Sequence, residues 1–325
     1  MQDRRTTLAA LVSIVLAAAT GPALAQTWPS APLRIIVPNV PGGSSDIIAR
    51  VISQPLSQAL GQPVVVENKP GANGNIGAAF AAQATDNHTV LLCDLPSLAI
   101  SPSVYKQLPY DLGKDLQGVA MLAYSPHLFV VNPSVPANNL KEFIALSKKS
   151  PVNVALPGTA TSNHLVTVQL AQATGIVWTH VPYKGGAQAL TDTVAGNTQA
   201  VVNGQLATMP MVKSNKLKVI AVSSKARSPL LPNVPTIAEQ GVTGFESGTY
   251  QGVMAPAKMS KESVARLNAE LVKIIQSPAV KEKLAELGAD VVTMTPAATT
   301  EFVGAERARW AKVVKEAGSN IEGAP

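Results

Sequence analysis

Two turns of the sequence carry residue types that could bind an anion. The first contains Gly42, Gly43, Ser44 and Ser45 followed by Asp46, and the second runs over residues 157–163. Glycine lets the backbone approach a ligand closely, and Ser, Thr and Asp often begin helices. A helix start has unpaired N–H groups and a partial positive charge, which attract a carboxylate or a phosphate. The residue types alone are equally compatible with an anion site and with an ordinary capped turn.

Each turn lies between a predicted strand and a predicted helix. Residues 33–37 form a β-branched strand bounded by prolines, and apolar residues follow at helical spacing over residues 47–60. Pro55 lies inside this helix and is expected to bend it. The same order recurs in the second half, where residues 152–155 are a predicted strand and residues 163–174 a predicted helix. The chain thus repeats its own plan.

Further strands and helices extend this plan in both halves. Strands are predicted at residues 64–67, 90–93, 128–131, 177–181, 200–202 and 217–222, and helices at residues 78–84, 140–149, 187–195, 205–214, 260–276, 278–287 and 299–317. The segment 96–116 is expected to be loop and short helix. Alternating helices and unbroken apolar strands predict parallel sheets covered on both faces. Ligands of such sheets bind beyond the carboxyl ends of the strands, so the two turns are expected to face one another.

The first residues are typical of a secretory signal peptide. Arg4 and Arg5 precede an apolar run over residues 8–19, and small residues lead up to Ala25. Cleavage is therefore predicted after Ala25, and the rest is long enough for two domains of about 100 to 200 residues each. Twin-arginine export is the second choice, because the residues around the arginine pair fit that signal poorly. No later segment reaches the ~18 uncharged apolar residues of a membrane span.

Composition favours a small anionic solute over nucleic acid. The chain has 26 Lys and Arg against 20 Asp and Glu, a net charge of +6, and removal of residues 1–25 leaves +5. Aromatic residues make up 4% of the chain, and no basic cluster is interleaved with them, which argues against nucleic acid. A mild positive balance attracts anions. Cys93 is the only cysteine, so no internal disulfide is possible, and it is expected to be a buried strand residue.

Nucleotide binding is a weaker interpretation. Ala72, Gly74 and Gly77 approximate a dinucleotide-binding fingerprint, and Asp94 stands at a strand end where a ribose-binding acid could lie. The first glycine of that fingerprint is replaced, and a proline intrudes on it. Export would also remove the protein from the cytoplasmic cofactor pool. No cofactor is therefore predicted.

The histidines give little support to hydrolysis or to a metal site. His88, His127, His164 and His180 are widely scattered, without a Gly-x-Ser-x-Gly elbow or metal-ligand spacing. Ser162 lies two positions before His164 at a helix start, so the two side chains point in different directions. Each histidine is expected at the surface or in a helix cap. No catalytic residue and no metal ligand is predicted, and a secreted hydrolase is the less favoured alternative.

The sequence also resembles one family over nearly all of the predicted mature chain. The matching motifs, in order, are Ile-Ile-Val-Pro at 35–38, Pro-Gly-Gly-Ser-Ser-Asp-Ile-Ile-Ala-Arg at 41–50, Val-Val-Val-Glu-Asn-Lys-Pro-Gly at 64–71, Ser-Asn-His-Leu at 162–165, His-Val-Pro-Tyr-Lys-Gly at 180–185, Arg-Ser-Pro at 227–229, Val-Pro-Thr at 234–236 and Ala-Pro at 255–256. Together they are similar to the Bug proteins, the solute receptors of tripartite tricarboxylate transporters.

The resemblance implies a type II periplasmic binding protein fold, with two doubly wound α/β domains joined by a two-strand hinge. The first domain would use residues 26–127 and 250–325, and the second would use residues 128–249. The crossing strands are expected near Leu128 and Tyr250.

The resemblance also implies function. The protein would be a monomeric receptor in the periplasm that closes around a small carboxylate and passes it to a tripartite tricarboxylate-type membrane permease. The ligand would be a dicarboxylate or tricarboxylate, an acidic amino acid or an aromatic carboxylate. Solute sensing through a membrane two-component kinase is the alternative that the sequence does not separate from transport.

Carried over residue by residue, the resemblance implies a ligand site built from both turns. The first turn would supply Gly42, Gly43, Ser44, Ser45 and Asp46, although Asp46, being anionic, is expected chiefly to stabilise its helix. The second turn and its surroundings would supply Thr159, Thr161, Ser162, Asn163, Tyr183 and Lys184. Ser97, after the third strand, is a further candidate. Asn39 and Asn203 depart from the family pattern and can hydrogen-bond neutral oxygens.

Overall fold

The computed structural model describes residues 28–317, so the predicted signal peptide lies outside the described residues. The strands are β1 (Leu33–Val37), β2 (Val64–Asn68), β3 (Thr89–Asp94), β4 (Leu116–Val131), β5 (Asn153–Leu156), β6 (Thr179–Pro182), β7 (Ala200–Gly204), β8 (Lys218–Val222), β9 (Gly248–Pro256) and β10 (Asp290–Val291). The helices are α1 (Ser44–Leu60), α2 (Asn75–Ala82), α3 (Leu95–Val104), α4 (Leu140–Ser147), α5 (Ser162–Thr174), α6 (Gly186–Val194), α7 (Gln205–Lys213), α8 (Lys261–Ile275), α9 (Pro278–Glu286) and α10 (Pro296–Ala317).

The first lobe is built on β2, β1, β3, β9 and the start of β4, which are neighbours in that order. Strand β1 pairs in parallel with β2 and β3, as its connections through helices require. Strand β9 lies antiparallel between β3 and β4. The second lobe is built on the end of β4 with β8 on one side and β7, β5 and β6 on the other.

Strand β4 is shared by both lobes. Its residues from Leu116 to Pro126 pair with β9, and from His127 to Val131 they pair with β7 and β8. Strand β9 starts at Gly248, where the chain returns from the second lobe. The protein therefore has the expected fold, with two α/β domains joined through two strands. No helix among residues 28–317 is long and apolar enough to cross a bilayer.

Each lobe has its own apolar core. In the first lobe, Ile48, Ile52 and Leu56 of α1 pack with Leu267 and Leu271 of α8, and all five are almost fully buried. The C-terminal helices thus cover the sheet with which the chain begins. In the second lobe, the core includes Phe129, Phe143, Val154 and Val202, with Trp178 packed against it. These cores hold the strand ends, and the turns that follow them, in fixed positions.

The structure corrects several expectations. Residues 95–104 form helix α3 rather than loop, and the strand predicted at residues 128–131 is the end of the 16-residue β4. Pro55 lies inside α1 as predicted, and the helix continues past it to Leu60. Cys93 is buried in β3 as predicted.

The expectation that the histidines lie at the surface or in caps was wrong for His88 and His127, whereas His164 is buried in the cap of α5, where its Nδ1 atom accepts from Ala160 N. His88, His127 and His164 are buried, with exposed fractions of 8%, 0% and 3%. His127 lies where β4 passes between the lobes, and its Nδ1 atom forms a hydrogen bond with Ser247 Oγ at 3.0 Å. An apolar environment accepts a neutral imidazole when one ring nitrogen is paired. Accordingly, burial lowers the pKa of His127 to about 3.

Candidate functional site

A cleft lies between the lobes at the carboxyl ends of β1, β3, β5 and β7. About 720 Å³ within it is free of protein atoms, and part of that space is open to solvent. This is where ligands of doubly wound sheets bind. The polar residues that line it are Asn39, Ser44, Ser45, Asn73, Asn75, Asp94, Ser97, Ser101, Thr161, Asn163, Asn203, Thr249 and Gln251.

The first turn is held by a buried carboxylate. Gly43 is the N-cap of α1 and offers no side-chain cap. Asp46, only 2% exposed, accepts hydrogen bonds from Gly42 N at 2.9 Å, Arg50 Nε at 2.9 Å and Asn68 Nδ2 at 3.0 Å. Burial opposes ionisation, but these three donors outweigh it and hold the pKa of Asp46 below its ordinary value. Asp46 therefore shapes the turn from behind.

The second turn is held by a histidine and a threonine. Thr161 is the N-cap of α5, where its Oγ1 atom accepts from His164 N at 3.2 Å and donates to Gly158 O at 2.9 Å. The imidazole Nδ1 atom of His164 accepts from Ala160 N at 3.0 Å, and Ala160 has a left-handed φ of 59°. Burial, with a smaller effect of His180, lowers the pKa of His164 to about 4. The ring is therefore neutral at pH 7 and able to accept.

Asp94, at the end of β3, ties the second turn to the first lobe. Its Oδ2 atom accepts from Ser97 Oγ at 2.6 Å and from Ser162 Oγ at 2.8 Å, and its Oδ1 atom accepts from Tyr250 N at 2.9 Å. Ser162 N also donates to Ser97 Oγ at 3.1 Å. Part of Asp94 faces the cleft rather than bulk water. Burial disfavours the charged carboxylate and raises the pKa of Asp94 to about 6, although the hydrogen bonds from Ser97, Ser162 and Tyr250 N lower it.

A third helix start reaches the cleft at α2. Gly74 precedes it with a left-handed φ of 90°, and a Cβ atom on Gly77 would lie 2.8 Å from Lys69 O and 2.9 Å from Pro38 Cα. Both glycines let the helix start close to the end of β1, which brings Asn75 to the cleft. Close packing of α2 against the end of β1 therefore explains the two glycines that were first considered part of a dinucleotide-binding fingerprint.

Eight of the residues predicted for the site line the cleft. They are Asn39, Gly43, Ser44, Ser45, Ser97, Thr161, Asn163 and Asn203. Ser45 Oγ donates to Gln251 Oε1 at 2.6 Å, and Asn163 Nδ2 donates to Val202 O at 3.2 Å. These contacts orient both side chains. Their role in ligand binding stays a prediction.

The other six predicted residues do not line this cleft. Gly42, which is exposed, donates to the buried Asp46, and Ser162, which is 1% exposed, donates to Asp94. The remaining three, Thr159, Tyr183 and Lys184, line a neighbouring depression with residues 70–74. The Tyr183 hydroxyl donates to Asp192 Oδ2 at 2.7 Å within the second lobe. The predicted residues thus fall into three groups: those that line the cleft, those that support the two turns, and those that line the neighbouring depression.

Sequence reasoning missed Asn73, Asn75, Ser101, Thr249 and Gln251, and it gave Asp94 a different role. The pair Gly74 and Gly77 was the available signal for α2, because only a close approach of backbone requires both. Thr249 and Gln251 are brought to the cleft by β9, whose pairing with β3 joins distant parts of the chain. No local pattern marks them.

The cleft is polar and nearly free of formal charge. Among the described residues that line it, Asp94 is the one acid, and Lys and Arg are absent. Ser162 Oγ donates to Asp94 and His164 Nδ1 accepts from Ala160 N, so these two side chains do not form a nucleophile and base pair. Residues 28–317 contain no group of three or more His, Cys, Asp or Glu that could hold a metal ion.

Known proteins resemble this chain in sequence and in fold. The family described as "Tripartite tricarboxylate transporter family receptor" matches residues 48–319. BugT of Bordetella pertussis is 37% identical over 323 residues, which are 98% of this chain and 99% of BugT.

Two solved structures with bound carboxylates share the fold. A protein of R. palustris, determined with adipate, is 32% identical with a TM-score of 0.86, covering 90% of this chain and 98% of its own. MatC from Rhodopseudomonas palustris, with bound malate, is 29% identical with a TM-score of 0.83, covering 88% of this chain and 100% of its own. The description of the matching family names a receptor rather than an enzyme. This chain therefore belongs to the tripartite tricarboxylate transporter receptor family.

Proposed function

We propose that this protein captures a small carboxylate in the cleft between its lobes and delivers it to a tripartite tricarboxylate-type membrane permease. The observation that carries the proposal is that the starts of α1 and α5 reach one cleft, lined by many neutral polar side chains, from opposite lobes. Helix starts supply N–H donors and a partial positive charge, which suit an anion without any cationic side chain.

Capture would depend on closure of the lobes. A Cβ atom on Gly204 would lie 3.1 Å from Ser44 Oγ, and one on Gly42 would lie 3.3 Å from Ala187 Cβ, so the lobes meet closely beside the cleft. The hydrogen bonds from Ser162 to Asp94 and Ser97 join the lobes in the same region. A ligand that contacts both helix starts would stabilise this closed arrangement by its differential affinity.

The relatives support the chemical class of the ligand. One structural relative was determined with adipate and another with malate, and both are small carboxylates. Their shared fold and about 30% identity are compatible with related ligands in this cleft. An anion held by several charge-assisted hydrogen bonds in such a cleft would bind with a Kd of about 1 µM, or about −8 kcal/mol.

The remaining parts of the proposal concern processing and organisation. The signal peptide would be cleaved after Ala25, releasing a monomer into the periplasm. Its domains would comprise residues 26–127 with 250–325, and residues 128–249. The switch of β4 between partners at His127 and the start of β9 at Gly248 support boundaries close to these.

Thermal unfolding against a panel of carboxylates tests the proposal. The panel would contain dicarboxylates, hydroxy acids, acidic amino acids and aromatic carboxylates, with purified protein shown to be free of carried-over ligand. A ligand at 100 times its Kd adds about 2.7 kcal/mol to the free energy of unfolding. For domains of this size that corresponds to a rise in Tm of roughly 5 to 10 °C. Absence of any shift across the panel would contradict the proposal.

A further inference from the structure

An apolar cluster joins the C-terminal helix α10 to the start of α5 in the other lobe. Its buried members are Ile100 of α3, Trp310 of α10 and, from the second lobe, Ala160, Leu165 and Val168. Each of these five residues is at most 3% exposed. Ala160 lies in the second turn of the cleft, and α5 begins two residues later. The cluster therefore packs apolar side chains of the first lobe against the second turn and its helix.

Helix α10 belongs to the first lobe. Gly118 N of β4 donates to Thr300 Oγ1 at 2.9 Å, and Val303 is buried in a core with residues of β3 and β9. None of the described residues of α10 is among those that line the cleft. Any effect of this helix on ligand binding must therefore pass through other residues.

Contacts within α10 orient the indole ring of Trp310. Its Nε1 atom donates to Glu306 Oε2 at 2.7 Å, one turn earlier in the helix. Arg309 Nη1 donates to Glu306 Oε1 at 3.2 Å, and the Arg309 guanidinium lies 4.9 Å from the centroid of the indole ring. Because Glu306 and Arg309 lie on the same helix as Trp310, these contacts do not require the second lobe. The indole thus keeps its orientation in the first lobe whatever the position of the second.

The apolar cluster lies beside the hydrogen bonds that cross between the lobes. In sequence, Ser162 lies between Ala160 and Leu165 of the cluster. Its hydroxyl donates to Asp94 Oδ2 and its backbone N–H donates to Ser97 Oγ, both in the first lobe. Separation of α5 from α3 would break these hydrogen bonds and expose the apolar cluster at the same time. Since burial of apolar surface is favourable in proportion to its area, the cluster stabilises the arrangement in which the second turn lies at the cleft.

Unfilled space separates this cluster from the hinge strands. A cavity of about 710 Å³, partly open to solvent, has Tyr124 of β4, Tyr250 of β9, Val166 of α5 and Trp310 of α10 in its lining. The packing of Trp310 against α5 is therefore distinct from the pairing of the hinge strands themselves. When lobes rotate about a hinge, contacts away from the hinge separate most, so opening would break the contact of Trp310.

We propose that Trp310 positions the second turn for ligand capture, because its indole packs against the start of α5 when the lobes close and loses this contact when they open. This inference rests on the proposed function and adds that the C-terminal helix, remote from the ligand, sets part of the affinity. Trp310 is a positioning residue, since it acts through Ala160 and Leu165 and does not line the cleft.

Intrinsic fluorescence tests the movement in the wild-type protein. The chain has three tryptophans, of which Trp28 stacks on His88 in the first lobe and Trp178 packs against the core of the second. Adipate and malate would be the first probes, followed by any other carboxylate that raises the Tm. We expect binding to shift the emission to shorter wavelength, because closure removes Trp310 from water. The shift should remain in Trp28→Phe and Trp178→Phe and disappear in Trp310→Phe.

Calorimetry with the same probes measures the effect of the contact on affinity. Trp310→Ala should raise the Kd about 10-fold, because a smaller fraction of the molecules then adopts the closed arrangement. Trp310→Phe keeps an aromatic ring at this position and should stay within about 3-fold of the wild-type Kd. Val168→Ala alone should raise the Kd about 3-fold but have little further effect in Trp310→Ala, because both truncations remove the same interlobe contact.

A truncation on the same helix is the matched control. Val303→Ala removes apolar packing of α10 within a cluster whose members all belong to the first lobe, and it should leave the Kd unchanged. All titrations would be carried out well below the Tm of each variant. A loss of stability alone then leaves the measured Kd as it is.

The outcomes separate this inference from the proposed function. Binding of a carboxylate without a change in the emission of Trp310 would show that the contact is permanent, which would overturn the inference and leave carboxylate capture standing. An unchanged Kd in Trp310→Ala would also overturn it, as would an equal loss of affinity in Val303→Ala, because α10 would then act on the fold alone. Failure of the folded, ligand-free wild-type protein to bind any carboxylate would overturn both proposals.

Discussion

The two turns that face the cleft look alike in sequence but are stabilised differently. The first turn is held within its own lobe, because Asp46 accepts from Gly42, Arg50 and Asn68. The second turn is held partly from across the cleft, because Ser162 donates to Asp94 of the other lobe. The first turn is therefore complete whether or not the lobes are closed, whereas the second gains contacts only on closure.

This difference suggests a division of labour between the lobes. A preorganised turn loses little entropy when an anion binds, so the first turn suits the initial encounter. The second turn forms interlobe hydrogen bonds that stabilise the closed arrangement, so it suits the later step in which the lobes close. The following experiments disturb one turn at a time, from the largest expected effect to the smallest.

Removal of the Asp46 carboxylate should cause the largest loss. Asp46→Ala would leave Gly42 N without its acceptor and Asn68 Nδ2 with Asn39 O as its remaining acceptor. It should lower the free energy of unfolding by about 2 kcal/mol, with a large loss of ligand affinity. Chemical denaturation measures the first effect. Asp290→Ala, at an exposed aspartate, is the control. A loss below about 1 kcal/mol would show that the first turn does not depend on this carboxylate.

Titration of Asp94 should make stability depend on pH in the region of the second turn. Its folded pKa is about 6 against an ordinary 3.8, so between these values the folded protein holds a proton that the unfolded chain has released. Stability should therefore fall as pH rises from about 4 to 6, by at most about 3 kcal/mol. His164 has the opposite sign, because its pKa is lowered to about 4, and its contribution makes stability fall as pH decreases.

The difference in Tm between the wild-type protein and Asp94→Asn isolates this effect, because His164 is common to both. The wild-type protein should become less stable relative to the variant as pH rises through this window. A difference that does not change with pH would mean that Asp94 titrates as it would in water.

A proline at position 162 should disturb the second turn with little change of fold. Ser162 is the first residue of α5, where proline is tolerated, and Thr161 already has the extended conformation (φ −91°, ψ 169°) that a following proline requires. Ser162→Pro removes the donors to Ser97 and Asp94 and should weaken ligand binding by about 10- to 100-fold. Lys261→Pro makes the same change at the start of α8, away from the cleft. Unchanged affinity would exclude the second turn from binding.

A methyl group between the lobes should have the smallest effect. A Cβ atom on Gly158 would lie in contact with Asn73 Oδ1, but that atom ends a flexible side chain and can move. Gly158→Ala should weaken binding by about 2- to 5-fold through less complete closure. Because Gly158 has a φ of 156°, at which alanine is strained, the control is Gly241→Ala, at a glycine with a φ of 105° where a Cβ atom meets nothing within 4 Å. A loss of affinity as large as that of Ser162→Pro would mean that the closed lobes leave no space for a methyl group at this point.

The elements predicted correctly from sequence are those with local signals. The strand of β1 and the helix starts at Ser44 and Ser162 are marked by apolar periodicity, glycine and polar capping residues. The length of β4 was missed because Gly118, Ser125 and Pro126 interrupt its apolar pattern, and its pairing with β9 stabilises it instead. Long-range pairing of this kind has no signature within a short window.

The candidate site was predicted in part for the same reason. Residues in the two turns follow strands, so their place at the cleft could be inferred, as for Ser45 and Thr161. Asp46 pairs with groups of its own lobe, and its part in ligand binding stays a prediction. Asp94 was not expected to join the lobes. Its role depends on Ser162 lying opposite it, and only the arrangement of both lobes in space reveals that contact.

The shared strand β4 also has a consequence for the order of folding. The hydrogen bond from Gln117 to Pro256 joins residues 139 positions apart, with the whole second lobe between them. Closing so long a loop costs conformational entropy before the contact stabilises the chain, and such topologies fold slowly. The first lobe cannot complete its sheet until β9 has been synthesised. The second lobe pairs strands from one continuous segment, residues 127–222, so it can form its sheet before the first lobe does.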